Sequence, residues 1–247
     1  MNIPDYTKEF NRSIKDPEGF WLEQANAINW YTKPQTALSK DSNGFDRWFK
    51  GGKLNTCYLA LDAHIEAGRG AQTALIYDSP VTQTVEKYTY NELRNLVARL
   101  AGGLKKLGIE KGDTVVIYMP MIPQAAIAML ACARLGAIHS VVFGGFAPHE
   151  LAIRIDDAKP KAIITATSGI EIDRIIPYKP MVDEAILLAS HKPDHVIVHN
   201  RKLGAIRPDA DHDIDYKTLM TIADPVGCVE VDATDPLYIL YTSGTTG

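Results

Sequence analysis

The sequence predicts an α/β fold in which a doubly wound, largely parallel sheet carries helices on both faces. Three short runs at 114–119, 138–143 and 161–166 are mostly apolar and rich in β-branched residues. Segments with helical periodicity lie between them. Apolar strands that alternate with helices are typical of a parallel sheet covered on both sides.

The composition is that of an ordinary globular protein and excludes several classes. The 247 residues are 46% hydrophobic and 23% charged, which argues against disorder, collagen-like repeats and a coiled-coil rod. The net charge of −4 provides no general basic field. We therefore expect small-molecule partners, with no nucleic acid and no membrane as partner.

The cysteines and the first residues indicate the compartment. Cys57, Cys132 and Cys228 are far apart in sequence and form no C-x-x-C motif. An odd number of dispersed cysteines fits a reducing compartment. The first ten residues carry acids and no continuous apolar run, which excludes a standard signal peptide. These features predict a cytoplasmic protein.

The first 62 residues differ from the rest in composition and in periodicity. They contain all three tryptophans, with little clean periodicity. We expect a short helix or two around 17–27, followed by an extended segment that lies over another surface. The boundaries predicted on this basis are 1–62 and 63–247.

A strong helix signal begins at Thr89, where Thr89-Tyr90-Asn91-Glu92 has the spacing of a capping box. Gly108 supplies a left-handed stop. Apolar residues follow the capping box at helical spacing, at Leu93, Leu96, Val97, Leu100, Leu104 and Leu107.

The segment 114–133 contains no charged residue over 20 positions and so has the length of a membrane span. Pro120 and Pro123 interrupt it, and the first turn of a helix tolerates a proline. We predict a buried strand, a turn and a buried helix. The remaining predictions are helices at 123–135, 148–158, 180–190 and 216–222, and strands at 138–143, 161–166, 195–199 and 237–241.

Ligands of such sheets gather in the loops that follow the carboxyl ends of the strands. Two glycine-containing loops have this position, Gly144-Gly145 and the segment 243–247. The second reads Ser243-Gly244-Thr245-Thr246-Gly247, whose backbone N–H groups and hydroxyls suit a nucleotide polyphosphate. Neither G-x-x-x-x-G-K-[ST] nor G-x-G-x-x-G occurs, and a solvent-facing flexible turn is the alternative.

The string Tyr-Thr-Ser-Gly-Thr-Thr-Gly at 241–247 resembles the phosphate-binding loop of the adenylate-forming superfamily. The segments 20–21, 47–55, 118–123 and 131–146 resemble the short-chain acyl-CoA synthetases within it. The segments 154–160 and 176–179 are similar to the propionyl-CoA synthetase (propionate–CoA ligase) group, as its N-terminal part.

The resemblance implies an ATP-dependent ligation of a short carboxylate to CoA through an acyl-adenylate, with Mg²⁺ as a further cofactor. By the same resemblance, the β- and γ-phosphates would be cradled by Thr242, Ser243, Gly244, Thr245, Thr246 and Gly247.

The resemblance also implies contacts with CoA. Phe143, Gly144 and Gly145 would lie against its nucleotide; a tight turn between strand and helix is the alternative. Glu171 and Arg174 align where acetyl-CoA synthetases place two arginines. Arg174 would contact a phosphate or be a surface arginine, while Glu171 would repel a phosphate.

The family's adenine loop, magnesium glutamate, acyl pocket and lysine-bearing domain would follow position 247. We therefore expect no catalytic residue within this chain and no turnover by the chain alone. The open alternatives are an acetate-preferring ligase, a non-catalytic nucleotide- or CoA-binding module, and a scaffold with a degenerate loop.

Overall fold

A computed structural model describes residues 5–142, 144–145, 147–203, 205–209 and 212–242. The N-terminal part begins with helices α1 (Tyr6–Lys15) and α2 (Pro17–Ala25), each capped by an aspartate side chain that accepts a backbone N–H. Short strands β1 (Leu38–Lys40), β2 (Asp46–Trp48) and β3 (Lys53–Leu54) follow, and then π-helical turns at Tyr58–Asp62 and Ile65–Arg69. The helix expected around 17–27 is thus confirmed as α2.

An antiparallel hairpin separates this part from the sheet. It consists of β4 (Thr73–Ser79) and β5 (Thr84–Thr89), which the sequence did not predict. Helix α3 (Tyr90–Lys106) starts directly after it. The predicted capping box is confirmed: Thr89 Oγ1 accepts from the backbone N of Glu92 at 3.2 Å, and Glu92 accepts from the backbone N of Thr89 at 2.8 Å.

The predicted alternation of strands and helices follows. The elements are β6 (Thr114–Tyr118), α4 (Pro123–Leu135), β7 (Ile138–Val141), α5 (Pro148–Ala158), β8 (Ala162–Ala166), β9 (Gly169–Glu171), β10 (Arg174–Ile176), α6 (Tyr178–Leu188), β11 (His195–His199), β12 (Ile214–Asp215), α7 (Tyr216–Ile222), β13 (Val231–Asp232) and β14 (Tyr238–Ile239). The bounds of α4, α5, α7 and β11 agree with the prediction, whereas the last strand is two residues long rather than five.

Six of these strands form one parallel sheet in the order β12–β11–β8–β6–β7–β14. The chain enters at β6 and adds strands on both sides of it, which is the doubly wound arrangement. The predicted fold class is therefore confirmed.

Strand β6 shows how both faces of the sheet are covered. Val115 and Ile117 are fully buried in a core with α3 and α4, whereas Val116 and Tyr118 are fully buried in a second core with α5 and α6. Alternate residues of a strand point to opposite faces. A strand between two cores must be apolar throughout, which explains the unbroken apolar run.

The uncharged segment 114–133 forms a strand, a turn and most of a helix, as predicted. Within the residues that the structure describes, no helix has the length and apolar character that a membrane crossing requires.

One buried asparagine joins the N-terminal part to the sheet. Asn55 is completely buried, and its amide Nδ2 donates to the carbonyl oxygens of Ala133 and Val229, both at 2.8 Å. Its Oδ1 accepts from the backbone N of Cys57 at 2.9 Å and of Tyr58 at 3.1 Å. Three chain segments are thereby fixed to one side chain.

Candidate functional site

A cavity of about 510 Å³ lies at the carboxyl edge of the parallel sheet. The loops after β6, β7, β8 and β11 form one side, and the turn between β4 and β5 forms the other. Strand β6 lies between β8 and β7, so the chain reverses its direction of winding at this point. A crevice at such a switch point is the usual ligand site of a doubly wound sheet.

The two glycines predicted for this site, Gly144 and Gly145, line the cavity. Gly144 and a further glycine, Gly169, lie close to the side chain of Tyr178. A Cβ atom on Gly144 would lie 1.9 Å from the phenolic oxygen of Tyr178, and one on Gly169 would lie 2.5 Å from the same ring. Neither position therefore accepts a side chain while Tyr178 keeps its place.

Tyr118 and Tyr178 form the floor beneath the glycine loop. Their ring centroids are 5.0 Å apart, and the Tyr118 hydroxyl donates to the Gly144 carbonyl at 3.3 Å. Burial raises the pKa of Tyr118 to about 12 and also raises that of Tyr178. Both phenols are therefore protonated at neutral pH and can act as hydrogen-bond donors.

Glu171 and Arg174 face each other across the β9–β10 hairpin. Glu171 lines the cavity, whereas Arg174 is not among the residues that line it. Arg174 Nη2 lies 3.4 Å from the Glu171 carboxylate, and the two side chains are 73% and 62% exposed. An exposed pair of this kind contributes little to stability.

Arg201 is a lining residue that the sequence reasoning missed. It is half-buried, and its guanidinium donates to the Ser168 carbonyl at 3.2 Å. Its backbone N–H donates to Thr167 Oγ1 at 3.2 Å. Burial lowers the pKa of His199, and the nearby positive charge of Arg201 lowers it further. The available signal was the position of Arg201, two residues after a strand that the sequence predicted.

The predicted phosphate loop begins at the same edge of the sheet. Thr242 is exposed and follows β14, which pairs with β7, the strand before the glycine loop. The preceding Tyr241 donates its hydroxyl to the Asp157 carboxylate at 2.6 Å. The other predicted members of the site lie outside the described residues: Phe143, Ser243, Gly244, Thr245, Thr246 and Gly247.

Among the described residues, one group of three potential metal ligands lies together, formed by Cys57, Asp62 and Cys228, and this group does not fit Mg²⁺. Magnesium prefers oxygen ligands in octahedral geometry, and two of these three groups are thiols. We derive no step of the chemistry through a metal held by these residues.

Comparison with known proteins identifies two family matches. Residues 63–247 match the AMP-binding enzyme family, and residues 6–60 match the acetyl-coenzyme A synthetase N-terminus. Acyl-CoA synthetase short-chain family member 3, mitochondrial, of Homo sapiens is 51% identical over 244 residues, which are 98% of this chain and 36% of that protein.

Propionate–CoA ligase of Escherichia coli K12 is 43% identical over 244 residues, which are 98% of this chain and 39% of that protein. Among solved structures, acetoacetyl-CoA synthetase from Streptomyces lividans has a TM-score of 0.87 at 28% identity, over 100% of this chain and 38% of that one. This chain thus spans less than two fifths of the length of these relatives. Since the AMP-binding match covers well over half of it, the chain belongs to the AMP-binding enzyme family, together with acyl-CoA synthetases.

Proposed function

We propose that this chain forms the part of an AMP-forming acyl-CoA synthetase that binds the ATP phosphates and the CoA nucleotide. The observation that carries the proposal is the cavity at the switch point, which Gly144 and Arg201 both line. The whole protein would be an acid–thiol ligase acting on a short-chain carboxylate, propionate. Residues 1–62 would form its N-terminal region, and 63–247 the first part of its adenylate-forming domain.

The reaction would proceed in two steps. A carboxylate oxygen attacks the α-phosphorus of ATP, which forms the acyl-adenylate and releases pyrophosphate. The CoA thiol then attacks the acyl carbon, and AMP leaves with the electrons of the broken C–O bond. Adenylation is needed because oxide is a poor leaving group. The protein's contribution is to hold the anionic reactants in position and to offset their charge.

Two groups of residues would hold these anions. Thr242 and the segment 243–247 would donate backbone and hydroxyl hydrogens to the β- and γ-phosphates. Phe143, Gly144 and Gly145 would lie against the CoA nucleotide. Arg201 supplies a positive charge on the cavity wall, whereas Asp78 and Glu171 add two negative ones.

Two features support the finer assignments. The propionate preference is supported by 43% identity to propionate–CoA ligase of Escherichia coli. A reducing compartment, and with it the cytoplasm, is supported by three free cysteines.

Pyrophosphate release by the full-length protein that contains this chain tests the activity. We expect release that depends on propionate and ATP, with acetate used less well. Stronger release with acetate would replace propionate by acetate as the preferred acid. Absence of release with every short carboxylate, combined with CoA binding, would indicate a non-catalytic CoA-binding module.

Calorimetry of CoA binding tests the cavity separately. An arginine–phosphate pair at a half-buried site contributes roughly 1–2 kcal/mol, so Arg201→Ala should weaken CoA binding about tenfold. Arg174→Ala is the matched control, since Arg174 does not line the cavity. Equal loss in both variants would return Arg174 to the site, and equal affinity of wild type and Arg201→Ala would remove Arg201 from it.

A further inference from the structure

Two cysteines that are distant in sequence lie side by side where the N-terminal part meets the sheet. Strands β3 and β13 are antiparallel, with Leu54 opposite Val231 and Lys53 opposite Asp232. Cys57 follows Leu54 by three residues and Cys228 precedes Val231 by three, so both cysteines lie just beyond the same end of this pairing. The sulfur atoms of both cysteines lie within 4.8 Å of each other.

The surroundings favour a thiolate at Cys57 and a protonated thiol at Cys228, whose pKa is raised by its hydrogen bond to Cys57 and by burial. The Arg134 guanidinium donates from Nη1 to Cys57 Sγ at 3.5 Å, and Cys228 Sγ lies 3.8 Å from Asp62 Oδ2. A hydrogen bond from the Cys228 thiol lowers the pKa of Cys57, and the Arg134 guanidinium lowers it further. Burial acts in the opposite direction. Thiolates, not thiols, carry out sulfur chemistry.

The same guanidinium argues against a metal at this place. The Arg134 side chain is 4% exposed and forms a bidentate ion pair with the Asp62 carboxylate, at 2.7 and 3.0 Å. A divalent cation bound by Cys57, Asp62 and Cys228 would have to displace this fixed positive charge or lie beside it. The guanidinium therefore fills the place that a metal would take.

The position of the two sulfur atoms is what favours a bond between them. They lie within 4.8 Å of each other, on segments that the β3–β13 pairing holds together. Cys57 starts the π-helical turn and is fully buried, whereas Cys228 is half-buried in the irregular segment 223–230. Reagents in solution therefore reach Cys228 first.

We propose that Cys57 and Cys228 form a redox-active pair that a small-molecule disulfide converts reversibly into an intramolecular disulfide. In the first step, the Cys228 sulfur, after losing its proton, attacks the external disulfide; a mixed disulfide forms and one thiolate leaves. In the second step, the Cys57 thiolate attacks the Cys228 sulfur and releases the second thiolate. Two protein thiols are oxidised, one external disulfide is reduced, and the two protons end on the two released thiols.

The bond would join the segment after β3 to the segment before β13. The inference rests on the cysteines and their neighbours and does not depend on the proposed function.

Oxidised glutathione is the probe for this pair. The native, reduced protein is incubated with it, remaining thiols are blocked with iodoacetamide, and the linked peptides are identified by mass spectrometry. We expect the free-thiol count to fall from three to one, a peptide linking Cys57 to Cys228, and full reversal by dithiothreitol. The apparent Tm should rise by several degrees on oxidation.

Cys132 supplies the internal control, since burial raises the pKa of its thiol to about 12 and it should stay free. Cys132→Ser should behave as wild type, whereas Cys57→Ser should stop at a glutathione adduct on Cys228. Three free thiols after oxidation, a lasting adduct on wild-type Cys228, or a link to Cys132 would each overturn the proposal. So would stoichiometric zinc binding that protects both thiols from iodoacetamide.

Discussion

Removing the Asn55 side chain should destabilise the fold strongly. The carboxamide is completely buried and makes four hydrogen bonds at 2.8–3.1 Å to backbone groups of three segments. Truncation by Asn55→Ala leaves two carbonyls and two N–H groups without these partners. A native hydrogen bond contributes about 1 kcal/mol net, and an orphaned buried group costs about 1–3 kcal/mol.

These values set the expected magnitude. A water molecule that enters the space would satisfy part of the freed groups, so we expect a loss of about 3–5 kcal/mol in the free energy of unfolding. For a chain of this size, each kcal/mol lowers Tm by about 2–4 °C. The variant should therefore melt about 6–20 °C below the wild type.

Thermal denaturation followed by circular dichroism, with urea denaturation alongside, measures the loss. Asn43→Ala is the matched control, because Asn43 is exposed in a loop and should cost less than about 0.5 kcal/mol. Asn55→Asp adds a second comparison: its carboxylate would face the Ala133 and Val229 carbonyls, so it should lose stability at neutral pH and regain part of it on acidification. If Asn55→Ala melts within about 2 °C of the control, Asn55 does not hold the three segments together.

Two further predictions concern a buried base and a pair of glycines. Burial lowers the pKa of His139 from 6.5 to about 4, so the unfolded chain binds the proton more readily, and stability falls by up to about 3 kcal/mol as pH drops from about 6.5 to 4. His139→Gln should flatten this part of the dependence of the urea midpoint on pH, and parallel curves would contradict the reasoning. In α3, a Cβ on Gly102 would lie 1.9 Å from the Asp224 carbonyl oxygen, whereas one on Gly103 would meet the movable Leu219 side chain at 2.7 Å. Alanine improves helix propensity by about 1 kcal/mol at either position, so Gly102→Ala should lower the urea midpoint clearly more than Gly103→Ala, and equal shifts would refute the difference.

Local signals account for the elements that the sequence predicted well. Pro123 opens α4, and Gly136 ends it with a φ of 70°. The capping box at Thr89 and Glu92 fixes the start of α3 in the same way. Each of these signals acts within one helical turn, so no knowledge of the rest of the fold is needed to read it.

The β4–β5 hairpin was not predicted, and β14 is shorter than predicted, because both depend on contacts that are not local in sequence. The hairpin strands have one exposed face, so their apolar pattern is weaker than that of β6. The last strand, predicted over 237–241, pairs with β7 only at Tyr238 and Ile239. Pairing depends on the neighbouring strand, which the local sequence does not describe.

The residues of the candidate site also fall into two groups, those that the sequence predicted and those that only the tertiary structure brings to the cavity. Gly144 and Gly145 were found because glycines after an apolar strand are visible in sequence, and both line the cavity. Arg201 was missed, because only the strand order brings the end of β11 to the same crevice as the end of β7. Why Gly144 must lack a side chain is likewise a tertiary fact, since Tyr178 comes from a later helix.

The sequence by itself determined the fold class, most helix bounds and the resemblance to acyl-CoA synthetases, since these depend on periodicity, caps and motifs written in neighbouring residues. Only the tertiary structure decided which distant residues meet. Strand pairing between segments far apart in the chain brings Arg201 to the same cavity as the glycine loop, and Cys57 close to Cys228. The physical reason is that hydrogen-bonded register and burial act across space, and a linear pattern carries no record of the partner strand.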